Sequence, residues 1–206
     1  MGRVSLGLSV DESLRLIDAF FQGRDDVHQT MRRLATRLRE EQIPYALIGG
    51  MALMLHGFKR VTGDVDVITT REGFEAIHQR LIGNGYEGKR KRIRDVETGI
   101  QIDFFTTGEY PGDGKPKAVA FPDPSASVEL EGLPVIELPK LIELKLASGM
   151  TNALRIRDSA DVMDLIQKLR LPRELAEQLD PSVRDEYLRM WEAWKNRPTT
   201  APDYEP

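Results

Sequence analysis

YALIGGMALMLHGFKRVTGDVDVITT, residues 45–70, sets two acidic side chains inside an otherwise apolar run. Asp64 and Asp66 stand at i and i+2, so a strand here presents both carboxylates on one face. Holding two like charges together on a half-buried strand is costly unless a cation sits between them. Gly49-Gly50 precedes the pair by roughly one helix. A glycine backbone can approach an anion closely, and the start of the following helix offers unpaired N–H groups. The same two glycines equally suit a tight strand-to-helix turn. Together, the glycines and the acidic pair point to a place where a metal meets a phosphate.

Outward from this stretch, the chain has 206 residues, 40% hydrophobic and 30% charged, which describes a globular protein and excludes a fibrous or disordered one. With no cysteine, disulfides and thiolate metal sites are excluded. No stretch is long and apolar enough to span a bilayer, and MGRVSLGLSVDESLRL lacks the apolar region of a signal peptide, so a cytoplasmic location and no membrane partner are expected. A net charge of −4 means that an anionic partner must be met by a local basic patch. KRKRIR, Lys89 to Arg94, is one candidate, although a run of charge also reads as a solvated ribbon.

Periodicity predicts helices over Asp11 to Phe21 and Asp25 to Glu41, a buried strand at Tyr45 to Ile48, and a helix from Met51 to His56 stopped by Gly57. A strand follows at Asp64 to Thr69, a helix at Arg71 to Ile82, and a charged ribbon at Tyr86 to Val96. Alternation predicts a strand from Ile100 to Thr106, with Gln101, Asp103 and Phe105 on one face. Ser127 to Ile136 reads as a hairpin around Glu131-Gly132. Helices then run over Leu138 to Ser148, with Gly149 at the end, over 157–169 and 173–179, and from Pro181 to Asn196. The expected organisation is an α/β (α+β) core with N-terminal helices over residues 1–137, a helical C-terminal part over 138–197, and a flexible Pro/Thr tail over 198–206.

Asp103 lies mid-strand between Ile102 and Phe104, where a charge needs a reason. With Asp64 and Asp66 it would complete an all-oxygen site suited to Mg2+ or Mn2+, the arrangement used for in-line phosphoryl displacement. Lys145, in the apolar helix LIELKLA, must either reach solvent or pair with an anion. Asp158 and Asp161 share a helix face and are placed to orient Lys145 or Arg157, unless Arg157 and Asp161 merely pair within the helix. His28, His56 and His78 are not spaced as ligands, and Trp191 and Trp194 read as packing.

The pattern G-G-x-A-x-x-x-x-G-x-x-R-x-T-x-D-x-D, present at Gly49, Gly50, Ala52, Gly57, Arg60, Thr62, Asp64 and Asp66, resembles the nucleotidyltransferase superfamily, whose fold is shared with the DNA polymerase beta palm. Within it, this signature together with a later pattern at Lys145, Leu146, Ala147, Arg155, Arg157, Asp158 and Asp161 is most similar to the small abortive-infection-type toxin group. This resemblance implies a mixed sheet flanked by helices. It implies metal ligation and catalysis by Asp64, Asp66 and Asp103, and nucleotide contacts from Gly49, Gly50 and Lys145, with Arg60 and Thr62 at the pocket rim. Arg157, Asp158 and Asp161 would support them.

The expected activity is transfer of an NMP from an NTP to an acceptor hydroxyl. RNA such as tRNA is favoured as acceptor, with an antitoxin protein as a possible partner. The alternatives are a non-catalytic nucleotide- or protein-binding member of the same fold, an enzyme acting on a small molecule such as an antibiotic, and a phosphodiesterase or nuclease.

Overall fold

A computed structural model describes residues 9–197; the predicted tail at 198–206 lies outside them. Two helices, α1 (Val10–Phe21) and α2 (Asp26–Glu40), lead into β1 (Tyr45–Ile48), α3 (Gly49–Leu55) and β2 (Asp64–Thr69). After α4 (Arg71–Arg80) come the hairpin β3 (Tyr86–Lys89) and β4 (Arg92–Asp95), then β5 (Gln101–Thr106). A second hairpin, β6 (Ser127–Leu130) and β7 (Leu133–Ile136), precedes α5 (Leu138–Thr151), α6 (Ile156–Lys168) and α7 (Pro181–Lys195).

The strands form one mixed sheet in the order β3-β4-β5-β2-β1-β7-β6. β2 runs parallel to β5 and β1 parallel to β7, while the other neighbours are antiparallel. The architecture is thus α/β, with helices flanking the sheet. β2 and β5 share one register: Val65 lies beside Ile102 and Val67 beside Phe104, all buried. The period-2 alternation that buries these four sends Asp64, Asp66, Gln101 and Asp103 to the opposite face.

α5 is buried without interruption from Leu141 to Ser148, because α6 and α7 pack on it. Its buried Glu143 accepts the backbone N–H of Asp180 at 2.8 Å and pins the start of α7. α5 also runs past its expected end. Gly149 lies inside the helix, where an added Cβ would fall 2.1 Å from Ser159 Oγ of α6. That glycine is a helix-crossing residue, not a cap; the requirement comes from a partner helix that local sequence does not reveal. Residues 173–178 wind as a 3-10 turn where a helix is predicted. α3 begins at Gly49 itself, so the glycines form its first turn.

The histidines serve packing and polar closure. His56 Nε2 meets the Ile136 carbonyl at 2.7 Å, and His78 Nε2 meets the Arg90 carbonyl at 2.7 Å. Trp191 donates to the Leu171 carbonyl at 3.0 Å, with its ring 6.2 Å from that of Trp194.

Gly149→Val places branched atoms where α6 already stands, and we expect a cost of about 2 kcal/mol. Urea unfolding measures it directly; an unchanged midpoint would show that α6 is free to move.

Candidate functional site

Three neighbouring strands bring one row of charge together. Arg92 on β4 lies opposite Asp103 on β5, and Asp103 lies beside Asp66 on β2. Asp64 sits one pleat away, beside Gln101. One oxygen from each of Asp64, Asp66 and Asp103 lies within 4.8 Å of the others. All three belong to a cleft of about 590 Å3 that also includes Gly49, Gly50, Arg60, Thr62, Lys145 and Asp158.

Each carboxylate is held differently. Thr62 Oγ1 donates to Asp64 at 2.7 Å. Arg92 and Gln101 together donate to both oxygens of Asp103. Asp66 has no hydrogen-bond partner among the described residues and is half-buried at the floor of the cleft. Burial, then the charges of Asp64 and Asp103, push its carboxyl up to about 7, against a partial pull downward from Lys145 and Arg155.

The glycines are dictated by this row. At Gly49, with φ of +62°, an added Cβ would stand 1.8 Å from Asp66 Oδ2. At Gly50 it would stand 2.6 Å from Thr62 Oγ1. The turn therefore lies directly against the acidic strand, and α3 starts there without a side-chain cap.

Across the cleft, Lys145 Nζ donates to Asp161 at 2.7 Å and Asp158 at 3.0 Å. Ser148 Oγ donates to Asp158 at 2.7 Å, and Arg60 pairs with the same Asp161 oxygen as Lys145. Lys145 and Asp161 are nearly buried, with side-chain exposures of 8% and 5%. Arg157 does not join this network, since Asp161 is already taken by Arg60 and Lys145. Arg155 and Arg157 line the cleft, and neither side chain has a hydrogen bond or ion pair among the described residues.

Sequence reasoning overlooked two features of this site. Arg92 sits inside the basic ribbon, and its pairing depends on the β4–β5 register. Phe105 lies two residues beyond Asp103 and stacks on Phe121 at 4.8 Å, giving the cleft an aromatic wall with Tyr110. Strand alternation from Asp103 was the available signal for Phe105.

The donor set fits a hard divalent cation. Three carboxylates converge, no thiolate exists, and His56 and His78 close on backbone carbonyls elsewhere. Among the described residues, no helix is long and apolar enough to cross a membrane.

No protein-family model matches the chain, and no curated protein matches it. Among solved structures, JHP933 from Helicobacter pylori aligns at 17% identity and TM-score 0.44, over 82% of this chain and 80% of that one. A candidate nucleotidyltransferase from H. pylori aligns at 16% identity and TM-score 0.45, over 81% and 92%. The antibiotic-resistance factor ANT(2'')-Ia aligns at 13% identity and TM-score 0.44, over 80% and 90%.

Because the folded carboxyl of Asp66 sits near 7 against an ordinary 3.8, the metal-free fold binds that proton more tightly than the unfolded chain does. Its contribution is fully present below the ordinary value and is lost as pH rises through 7. Asp66→Asn removes the titration. In chelator, its stability gain over the parent should grow from near zero at about pH 4 to on the order of 2–4 kcal/mol at about pH 8. Thermal melts across that range check the slope; a pH-independent difference would contradict it.

Proposed function

We propose that the chain is a nucleotidyltransferase that moves an NMP from an NTP to an acceptor hydroxyl. The observation that carries this reading is the convergence of Asp64, Asp66 and Asp103 within 4.8 Å on adjoining strands. The Gly49–Gly50 turn packed directly on Asp66 supports it.

In this reading Asp64 and Asp66 hold a divalent cation, Mg2+ or Mn2+, and Asp103 completes a second position. Bound there, the cation would supply charge that polarises the phosphoryl oxygens. The remaining work belongs to the chain. Gly49 and Gly50 expose backbone to the phosphates, and the uncapped first turn of α3 favours negative charge there. Lys145 is fixed by Asp158 and Asp161 and directs its remaining donor capacity at the triphosphate. Arg155 and Arg157, without partners of their own, draw the β- and γ-phosphates.

Arg60 anchors Asp161, and Thr62 orients Asp64; both act on the site through those neighbours. Phe105 and Tyr110 offer the nucleobase a surface. The acceptor oxygen attacks the α-phosphorus as its proton passes to Asp103 or to solvent. One P–O bond forms, the bond to pyrophosphate breaks, and pyrophosphate leaves. Most of the rate gain lies in positioning and in charge placed before reaction.

RNA, such as tRNA, is the acceptor class we favour. Lys89, Arg90 and Arg94 are exposed on the β3–β4 ribbon, and Arg155 and Arg157 are exposed at the rim, so the cleft opens between two basic surfaces. The resemblance to the toxin group adds a companion antitoxin protein to this proposal as a second partner. The His-ligated nuclease reading is disfavoured, because no histidine lines the cleft.

Incubation with each labelled NTP, total RNA and an aminoglycoside panel should label RNA. Asp64→Ala and Asp66→Ala should each reduce labelling at least a hundred-fold, a loss of about 3 kcal/mol in transition-state stabilisation. Labelling of an aminoglycoside alone would move the acceptor to small molecules. Undiminished labelling by both variants would remove the proposed mechanism.

A further inference from the structure

The three acidic residues do not stand equally ready for a cation. Asp66 has no hydrogen-bond partner among the described residues, and Asp64 gives one oxygen to Thr62. Both oxygens of Asp103 already accept hydrogen bonds. Arg92 Nε donates to Oδ1 at 2.9 Å, Arg92 Nη2 donates to Oδ2 at 3.1 Å, and Gln101 Nε2 adds a bond to Oδ2 at 3.1 Å. The two-pronged fork is the strongest pairing an arginine makes with a carboxylate, and lysine cannot reproduce it.

Sheet register imposes this pairing. Arg92 and Asp103 are directly opposed on antiparallel β4 and β5, and Asp103 is level with Asp66 on β2. The guanidinium thus occupies the side of Asp103 remote from Asp66 and neutralises one of the three negative charges. The Arg92 side chain is 69% exposed and has no other hydrogen bond or ion pair among the described residues, so opening the fork breaks no other polar contact. The fork and Gln101 together occupy three of the roughly four lone-pair sites of Asp103 and offset its charge, so a divalent cation meets a weakened ligand there until the fork opens.

We propose that Arg92 is a latch on the Asp103 half of the acidic site. A first divalent cation settles at Asp64 and Asp66 while Arg92 holds Asp103, and a second takes Asp103 only after the fork opens. Arg92 thereby fixes the order of cation binding and keeps the site incomplete until it is released. This rests on the nucleotidyl-transfer reading and assigns Arg92 a positioning role within it.

Mn2+ titration of the full chain without nucleotide, with free Mn2+ followed by electron paramagnetic resonance, reads the latch without reference to activity. The parent protein should bind one ion tightly and a second at least about ten-fold more weakly, and Asp103→Asn should lose the second. Arg92→Gln should tighten the second site by about ten-fold or more while moving the first by less than about two-fold, since opening a charge-assisted fork is worth that much. Arg92→Lys keeps the charge without the fork and should fall between; it also guards against a folding defect in the glutamine variant, with circular dichroism melts as the check.

A second site unchanged or weakened in both Arg92 variants, in a protein that binds Mn2+, would overturn the latch and leave the transferase reading standing. Equal tightening of both sites by Arg92→Gln, with no effect of Arg92→Lys, would reduce Arg92 to a general charge and also overturn it. No Mn2+ binding by any variant would sink the latch and the transferase reading together.

Discussion

Mutual repulsion among three carboxylates is the constraint around which the molecule is arranged. Two unit charges about 4 Å apart cost about 4 kcal/mol at the effective dielectric near a protein surface. Asp64, Asp66 and Asp103 meet this cost together, on strands whose other faces build the core. A hydroxyl at Asp64, an arginine fork at Asp103 and the more distant charges of Lys145 and Arg155 offset part of it. Asp66, at the centre of the row, keeps the remainder, and its carboxyl is pushed up to about 7. The metal-free site is therefore under tension that either a proton or a cation relieves.

The opposite wall answers that floor with positive charge held at a cost. Burying Lys145 with Asp158 and Asp161 is a poor way to stabilise a fold, since apolar residues of equal volume often serve as well or better. What the network secures is position. Gly149 lets α6 close on α5, which carries Asp158 and Asp161 to Lys145, while Arg60 ties that cluster to the loop before β2. A negative floor and a positive rim meeting across one cleft form a surface complementary to a polyphosphate carrying its own cation.

Much of this was legible in the sequence because its signals are local. Alternation in DVDVIT and QIDFFT sets both carboxylate-bearing faces, and the hairpin at Ser127 to Ile136 follows from one Glu-Gly turn. The helical spacing of Asp158 and Asp161 placed them on one face, which is where Lys145 finds them. The features that escaped are tertiary. Gly149 looks like a helix stop until α6 is present. Arg92 looks like one charge among several in KRKRIR until register sets it opposite Asp103. Arg157 looks like a partner for Asp161 until Arg60, distant in sequence, occupies that oxygen. Gly49 shows its role only once the Asp66 carboxylate is seen to fill the space a side chain would need.

In the proposed function, the acidic row holds a divalent cation against a nucleotide's phosphates. Anomalous diffraction from crystals grown with Mn2+ and a non-hydrolysable ATP analogue tests that claim most directly. The predicted result is a Mn2+ peak bonded to Asp64 and Asp66, with the triphosphate between the Gly49–Gly50 turn and Lys145. Nucleotide bound elsewhere, or a triphosphate in the cleft with no metal peak at these carboxylates, would contradict it.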